Sequence, residues 1–457
     1  MDAPVSSRGL HSTAEVVARL ERMPISPWHL KARAVVGVAT FFDAYNALAI
    51  AYVLPVIIPL FHMGPQDIGT LISTGYLGQL IGAILFGWIA EKYGRKPAIF
   101  WSIMLYAIFS IASALAWNYS SLVVLRTLQG IGLGGEVPVA IAYISELAKA
   151  KSRGRFVLLF EMVFPVGLFA AALLGLWIVP HLGWRYMLVL GGLPAIAAIA
   201  MWRIIPESPR WLASRRRYGE AEAALSYIEE QVERTTGKPL PTPEAWVPAD
   251  DKPGSYRDLF GPGYLRRTLV IWVAWFATYL VNYGLITWLP TLYRTVFNLP
   301  LDQALRFSLI NSAAGLVCSL MCALYMDHVG RKRWATLAFG LGALPMLLLW
   351  WMGPDTPIRV LIFATLGSAI TNTMSLGLYV YTPELYPTRV RAIGVGTATA
   401  WLRFASIIGP SFVGMMVAGS GLSFVFLGFG LVGLFAAAVM AIFGIETRRK
   451  VLEELSP

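Results

Sequence analysis

The feature that most constrains this chain is a series of apolar stretches, each about 20 residues long, that recurs along almost all of its 457 residues. A bilayer core of about 30 Å requires roughly 20 apolar residues per helix, so each stretch predicts a membrane-spanning helix. Twelve spans are predicted, near 34–61, 68–90, 97–117, 121–145, 156–180, 186–205, 268–293, 304–326, 334–352, 358–382, 392–418 and 421–445. With 57% hydrophobic and 14% charged residues, the composition also favours an all-α membrane protein.

The Lys and Arg residues are distributed unequally between the two sides of the predicted membrane. Of 37 in total, four lie in loops of one side and two lie within spans, which leaves 31 on the other side. Such an imbalance predicts that both termini and the long middle loop are cytoplasmic. It also explains the net charge of +11 by topology, without a nucleic-acid partner. Since the N-terminus lacks a cleavable signal, we expect a multi-pass protein of a bacterial inner (plasma) membrane.

The apolar pattern breaks once for a long stretch, and the break divides the spans into two groups of six. Five segments are therefore predicted, namely a cytoplasmic N-terminal segment (1–32), a first six-helix bundle (33–205), a cytoplasmic connector (206–267), a second six-helix bundle (268–446) and a cytoplasmic tail (447–457). Ser12 and Glu15 match a capping box ahead of apolar residues, which predicts a short interfacial helix in the first segment.

Two charged loop motifs occur once in each half. Gly94 is repeated at Gly330, 236 positions later, and Glu146 at Glu384, 238 positions later. Nearly equal offsets indicate two pseudo-symmetric bundles with a binding site between them, near the bilayer midplane. We expect the charged residues of these loops to form salt bridges that act as inner gates, unless the bases only set the topology. These residues are Glu91, Arg95, Glu146, Asp327, Arg331 and Glu384.

Five charged residues lie in the interior of predicted spans, away from the span ends, and a charge at the centre of a span costs roughly 2.5–3.5 kcal/mol. They are Asp43, Arg126, Glu136, Glu161 and Arg403. With a rise of about 1.5 Å per residue, Asp43 and Arg403 lie about 15 and 18 Å deep, near the midplane. No acid occurs in the second half's spans to neutralise Arg403. Its guanidinium is therefore the candidate receptor of a substrate carboxylate, and pairing with Asp43 or backbone carbonyls is the alternative.

The other intramembrane charges have coupling or structural interpretations. Asp43 is the candidate proton carrier, because its protonation depends on burial and on nearby cations. A static pair between Asp43 and Arg126 is the alternative, and Arg126 itself is expected to pair or gate. Glu136 and Glu161 are expected to pair with bases of a nearby loop.

The seventh span carries a polar and aromatic helical face, which suits a flat aromatic acid by stacking and hydrogen bonding. Aromatic packing and interface anchoring are the alternative. The candidates are Trp275, Tyr279, Asn282 and Tyr283, with Asn372 and Tyr379 of the tenth span as weaker members of the set.

Metal, cofactor and enzyme functions find no support in the sequence. The five histidines are scattered without ligand spacing, so no metal site is expected. The G-x-G-x-x-G match at Gly130 to Gly135 lies within a span and follows no strand, so no dinucleotide cofactor is expected. No nucleophile–base pair is recognisable, and we expect no enzyme activity.

Several of these motifs resemble those of the major facilitator superfamily, over about Arg33 to Arg449. Gly87 to Lys96 resembles the loop after the second helix of that superfamily, and Arg126 to Gly135 resembles its fourth helix. Pro206 to Leu212 is similar to a motif that sugar porters share with organic ion transporters. The resemblance implies two six-helix bundles that rock about a central site, and we expect a monomer.

Within the superfamily, Gly134 to Pro138 and Pro383 to Pro387 look like the metabolite–proton symporters, a group that includes bacterial nicotinate permeases and resembles organic cation and anion transporters and synaptic-vesicle glycoproteins. Thr278 to Gly284 lacks the seventh-helix signature of sugar porters. In this group, the position of Arg403 resembles one that carries an arginine in anion carriers and an acid in cation carriers. Many relatives have a second acid in the first helix, where this chain has Asn46.

The resemblance and the buried charges together predict proton-coupled uptake of a small aromatic carboxylate such as nicotinate. The partners expected are therefore an organic anion, protons and the lipid bilayer. One alternative is an organic cation held by Asp43, with Arg403 structural. Another is a membrane receptor that transports nothing.

Overall fold

The chain is described here by a computed structural model that covers residues 12–149, 153–243 and 255–448. Parts of the predicted N-terminal segment, connector and tail lie outside these residues. In the described part the regular elements are all helices. The first half comprises α1 (Thr13–Arg22), α2 (Pro27–Leu60), α3 (Pro65–Tyr93), α4 (Arg95–Ala114), α5 (Tyr119–Leu147), α6 (Arg153–Glu161), α7 (Val163–His181), α8 (Trp184–Leu190) and α9 (Pro194–Ile204).

The connector and the second half continue the helical pattern. The connector contains α10 (Pro209–Ser214), α11 (Tyr218–Thr236) and a 3-10 helix (Tyr256–Phe260). The second half comprises α12 (Leu265–Thr295), α13 (Leu301–Val329), α14 (Arg331–Met352), α15 (Pro357–Glu384), α16 (Thr388–Ala418) and α17 (Leu422–Phe443).

Eleven helical segments of the described chain are long and apolar enough to cross a membrane. The remaining predicted span is α5, a helix of 29 residues that carries Arg126 and Glu136. These helices match the predicted spans within a few residues, except that α2 begins at Pro27 rather than near 34.

Two spans are broken at places that proline explains. Span five changes from α6 to α7 at Met162, and span six changes from α8 to α9 after Leu190. Pro165 has no N–H to donate to the carbonyl of Glu161, and Pro194 has none for Leu190. Each break therefore begins four positions before the proline, at the residue whose carbonyl lacks its usual helical donor. The Leu190 carbonyl accepts from the N–H of Leu193 at 3.1 Å instead.

The helices form two bundles that meet along three helix pairs. Within the first half α5 packs on α3 and α4, and within the second half α12 packs on α16 while α14 packs on α17. Between the halves, α3 packs on α16, α7 on α13 and α2 on α12. The interface is therefore pseudo-symmetric, because the first spans of the two halves meet each other and the second span of each half packs on the fifth span of the other.

The apolar core distinguishes the two ends of the molecule. We call the end with the connector and the start of α2 the terminal face, and the other end the opposite face. Near the opposite face, residues such as Tyr52 and Leu71 share one buried cluster with the second half. Near the terminal face, Val36 and Phe86 belong to a cluster of first-half, N-terminal and connector residues. Among the described apolar side chains, the halves are therefore packed together toward the opposite face.

The N-terminal helix packs against protein as well as lying at the terminal face. Val16 and Leu20 of α1 are buried in the same cluster as Leu225 of α11. Arg19 Nη2 lies 2.5 Å from one carboxylate oxygen of Glu229. The interfacial helix predicted for this segment therefore turns its apolar face toward α10 and α11, a contact that an amphipathic pattern alone does not reveal.

The first charged loop ties together the helix ends of its own half. Arg95 Nη1 lies 2.8 Å from Glu91 Oε1, and Nη2 lies 2.9 Å from Glu146 Oε1. Glu207, just after span six, accepts the backbone N–H of Arg95 at 2.9 Å. Gly94 has φ +116°, and a Cβ there would meet the Glu207 carboxylate. Burial raises the pKa of Glu207 despite these backbone hydrogen bonds.

The second charged loop repeats this arrangement. Arg331 Nη1 lies 2.8 Å from Asp327 Oδ1, and Nη2 lies 2.9 Å from Glu384 Oε1. Glu446, just after the last span, accepts the backbone N–H of Arg331 at 2.8 Å. Gly330 has φ +101° and would meet the Glu446 carboxylate with a Cβ. Each of the four ion pairs formed by Arg95 and Arg331 joins residues of the same half. They connect helix ends within each bundle, and their action as gates between the halves stays a prediction.

Candidate substrate site between the two halves

A charged cavity lies between the bundles, lined by both halves. From the first half come Asp43 of α2, Gln79 of α3 and Glu161 of α6, and from the second half Arg403 of α16. The rings of two tyrosines from α12 and one from α15 close the wall, and the lining also includes Ala47, Val137, Phe164, Pro165, Ser375, Leu376, Leu402, Tyr279, Tyr283 and Tyr379. The sequence therefore predicted the central acid, the central arginine and the aromatic wall of one cavity.

Arg403 reaches across the interface to the first half. Its Nη1 donates a hydrogen bond to Oε1 of Gln79. Gln79 is itself 6% exposed, so the contact is removed from bulk water. Arg403 also acts electrostatically on Asp43. The structure thus places the guanidinium in the cavity, with one neutral hydrogen-bond acceptor and a nearby carboxylate.

Both carboxyl groups of the cavity have unused hydrogen-bonding capacity. Asp43 and Glu161 are each 4% exposed. Asp43 Oδ2 and Glu161 Oε1 have no hydrogen-bond partner among the described residues. A polar atom buried without a partner is unfavourable, so these oxygens are poised to hold a proton or a ligand. Glu161, which was expected to pair with bases of a nearby loop, lines this cavity.

The remaining intramembrane charges lie behind the cavity. Arg126 donates to Gln129 Oε1 at 2.6 Å and to the backbone oxygen of Asn46 at 3.4 Å. Within the described residues it forms no ion pair with Asp43 inside 4 Å, so the alternative of a static pair is not what the structure shows. Glu136 accepts a hydrogen bond from Thr40 at 3.0 Å. The side chains of the expected loop partners, Arg153 and Arg155, lie outside the described part of the chain.

An aromatic ladder runs along the predicted face of α12. Trp275 stacks on Tyr279 with ring centroids 5.6 Å apart, and Tyr279 stacks on Tyr283 at 5.6 Å. Tyr283 in turn contacts Tyr76 of α3 at 5.0 Å, across the interface between the halves. Tyr379 meets Trp275 edge-on at 4.9 Å. Trp275, whose Nε1 donates to Thr382, supports the ladder from behind, while the tyrosines form the cavity wall.

A second, neutral cavity adjoins the charged one. The two cavities share five residues, and the second adds neutral polar groups from three helices, α12, α13 and α15. The shared residues are Phe164, Pro165, Tyr279, Tyr283 and Ser375. Asn282 lines it with Nδ2 buried and without a partner. Asn372 also lines it, but donates to Ser319 Oγ at 3.1 Å. The cavity volumes are about 70 and 60 Å³, below the roughly 300 Å³ of pockets that hold small ligands, so substrate entry requires the walls to move apart.

Gln79 and Tyr76 complete the site from α3, and neither was predicted from the sequence. A neutral amide in a span is less conspicuous than a charge, and a single tyrosine there is common. The available signal was position, because Gly75, Gly78 and Gly82 mark the face of α3 that packs closely on neighbouring helices, and both residues lie between these glycines.

Comparison with known proteins identifies the family. The sequence profile of the family described as "Sugar (and other) transporter" matches residues 44–457. This chain belongs to that family, within the major facilitator superfamily. It is 35% identical to the niacin transporter NiaP of Acinetobacter baylyi, over 96% of this chain and 99% of that protein. It is 29% identical to a gallate transporter of Pseudomonas putida, over 92% of each chain.

Solved structures of the superfamily share the fold. A partially occluded inward-open form of the xylose transporter XylE from E. coli matches with a TM-score of 0.72 and 20% identity, over 93% of this chain and 100% of that one. The predicted major facilitator fold of twelve spans is thereby confirmed. This family member is a multi-pass membrane transporter and not an enzyme, and membership also favours transport over the receptor alternative.

Proposed function

We propose that this transporter takes up a small aromatic carboxylate together with protons, by alternating access about the cavity between its halves. The observation that carries the proposal is Arg403. Its guanidinium lies in the cavity and donates to the neutral side chain of Gln79, and it forms no ion pair inside 4 Å among the described residues. An arginine so placed has further N–H groups for a carboxylate, which it can bind in bidentate fashion.

The aromatic wall supports a flat substrate. Tyr279 and Tyr283 present stacked rings beside the guanidinium, and ring stacking favours aromatic ligands. Asn282 offers an unpartnered amide donor in the adjoining cavity for an acceptor on the ring. Two relatives are named for niacin and gallate, which are aromatic rings that bear a carboxylate. The residues of the site and the names of the relatives therefore both favour an aromatic carboxylate as the substrate.

Asp43 provides the coupling to protons. The ionised form of Asp43 and a substrate carboxylate compete for the same guanidinium, because both lie in one cavity with Arg403. Binding of the substrate is therefore favoured when Asp43 is protonated. After the cavity opens to the other side, release of the proton lets Asp43 replace the substrate beside Arg403. With the terminal face cytoplasmic, as the basic loops predict, this cycle produces uptake across an inner membrane.

Substitution of Arg403 tests the anion site. Truncating one partner of a buried charge pair costs about 2–5 kcal/mol, so Arg403→Ala should lower counterflow of labelled nicotinate or benzoate in liposomes about a hundredfold. Arg403→Lys keeps the charge but loses the bidentate geometry and should retain partial activity. Arg306→Ala is the matched control, because Arg306 pairs with Asp302 on an exposed surface of the same half. Normal counterflow by Arg403→Ala would sink the proposal.

An organic cation is the second candidate, because Asp43 and Glu161 both present unpartnered oxygens to the cavity. Two carboxylates are suited to a quaternary or protonated amine. In that case Asp43→Asn should abolish binding of the amine, and Arg403→Ala should leave its transport intact. For a carboxylate substrate we expect the reverse, so that Arg403→Ala impairs binding more severely than Asp43→Asn does.

A further inference from the structure

We propose that Glu161 is a second proton-binding carboxyl of the substrate cavity, so that each monoanionic substrate crosses with two protons and one net positive charge. The inference rests on the proposed function and adds to it the charge that each cycle moves. Its basis is the position of Glu161 at the broken fifth span. The carboxyl is 4% exposed, lines the charged cavity and leaves Oε1 without a hydrogen-bond partner.

Burial at the helix break disfavours the charged form of Glu161. Glu161 is the last residue of α6, and Pro165 cannot donate to its carbonyl. Because α7 begins at Val163, the partial charges of the two helix ends at the break offset each other. Burial in the cavity penalises the charged form of the carboxyl. In the closed, substrate-loaded cavity, Glu161 is therefore most stable when it holds a proton.

The groups that face Glu161 leave it without a cation of its own. Tyr279 of α12 and Tyr379 of α15 lie close enough to Glu161 to interact with it electrostatically. Glu136 of α5 also interacts with it, as a like charge. Asp43 of α2 and Arg403 of α16 complete the ionisable lining of the cavity. Even before a substrate binds, the cavity therefore contains one guanidinium for two carboxyl groups.

The charge balance of the loaded cavity decides the stoichiometry. With a substrate carboxylate on Arg403 and both acids ionised, the cavity would hold three negative charges against one positive charge. Desolvated charges of one sign repel strongly, so closure requires protons on both Asp43 and Glu161. The loaded site then crosses with no net charge. After the substrate has left, Arg403 is free for Asp43, and water that fills the vacated cavity solvates the Glu161 carboxylate. The empty site then returns with both acids ionised, which carries one negative charge outward and makes uptake electrogenic.

Membrane potential separates this scheme from coupling through Asp43 alone. We would reconstitute the full-length protein and impose an inside-negative potential with potassium and valinomycin, at equal pH on both sides. One net charge per cycle corresponds to about 2.3 kcal/mol per 100 mV, which is an accumulation limit of about fifty-fold. Wild-type liposomes should therefore accumulate labelled benzoate under potential alone. Glu161→Gln, which mimics the protonated side chain, should lose this response and keep stimulation by an inward proton gradient.

Glu136→Gln is the matched control, because Glu136 is equally buried but is held by Thr40 behind the cavity. It should keep the response to potential. A wild-type protein driven by the pH gradient but indifferent to potential would overturn the role of Glu161 and leave the proposed function standing. The same holds if Glu161→Gln keeps the full response. Absence of any acid uptake would overturn both proposals, and if Glu161→Gln fails to fold, the wild-type charge measurement decides alone.

Discussion

The hydrogen bond from Arg403 to Gln79 is the one polar contact that joins the halves directly at the guanidinium, among the residues described. It orients a long side chain that has many rotamers. Fixing such a side chain before the substrate arrives reduces the entropy lost on binding. Gln79 is thus expected to act through Arg403, as a positioning residue.

Replacing Gln79 by leucine should weaken substrate binding. The change leaves a buried guanidinium N–H without its acceptor, which costs about 1–3 kcal/mol. We expect the KM for uptake to rise about tenfold while the maximal rate changes less, as measured by initial rates in liposomes. Gln303→Leu is the control, since Gln303 is exposed on α13. An unchanged KM for Gln79→Leu would contradict the positioning role.

The sequence predicted the charged residues of the site better than the neutral ones. Arg403 and Asp43 stand out because a charged side chain within a membrane span is energetically costly and is usually retained for a function. Gln79 carries no such signal, and its role depends on which helix face meets α16. Glu161 was expected to pair with bases of a nearby loop, because the direction of its side chain depends on the break at Met162, which the sequence does not define. A proline in a helix favours a break, as Pro165 does here, but the local backbone path, and hence the cavity, is fixed only by the packing of the neighbouring helices.

At the scale of elements, α3 and α16 form the close contact between the halves toward the opposite face. Ser73 Oγ donates to the backbone oxygen of Ile407 at 2.6 Å. A Cβ on Gly69 would lie 3.2 Å from the backbone of Pro410 and Ser411. The helices therefore approach closely enough that a large side chain at Gly69 has no room.

Gly69→Trp should hold the opposite face open. The indole cannot fit against α16, so the closed arrangement is destabilised relative to one in which the halves separate there. Transport should fall to the background of empty liposomes, while a cysteine introduced at Ser73 should become labelled from that face. Gly87→Trp on the same helix is the control, because a Cβ there meets nothing within 4 Å. Wild-type transport by Gly69→Trp would show that this contact does not need to close.

The docking of α1 on α11 depends on Glu229. Burial raises the pKa of Glu229, but hydrogen bonds from Arg19 and Arg22 outweigh it and leave the pKa below its ordinary value. A lowered pKa in the folded state means that docking is fully stabilised above the ordinary pKa of about 4.3 and is lost as the pH falls through the lowered value. Proteolysis within α1 should therefore accelerate only in acid. Glu229→Gln should show fast cleavage at neutral pH as well, and equal cleavage of both proteins at neutral pH would contradict the docking.

At the scale of the whole molecule, duplication is visible in both sequence and structure. The loop motifs repeat at offsets of 236 and 238 positions, and the structure adds a third pair, Glu207 and Glu446. That pair is hard to find in the sequence, because the two glutamates cap N–H groups far from them along the chain. Hydropathy sufficed for the spans and the division into halves, whereas the way the halves meet depends on side-chain packing.

The molecule as a whole is thus two helical bundles around a cavity with one arginine, two acids and an aromatic wall. The ion pairs at the terminal face stabilise each bundle internally. Apolar packing toward the opposite face brings the bundles together. Such a division of contacts allows the bundles to move relative to each other without breaking either one, which is what alternating access requires.

Uptake by the wild-type protein in liposomes tests the central claim most directly. Labelled nicotinate, benzoate and a quaternary amine should be supplied with and without an inward proton gradient, and liposomes with Arg403→Ala should be run alongside to subtract acid that permeates the lipid. We predict saturable uptake of an acid that the gradient stimulates and that the variant lacks. Uptake of the amine alone, or acid uptake equal to that of the variant, would contradict an anion site at Arg403.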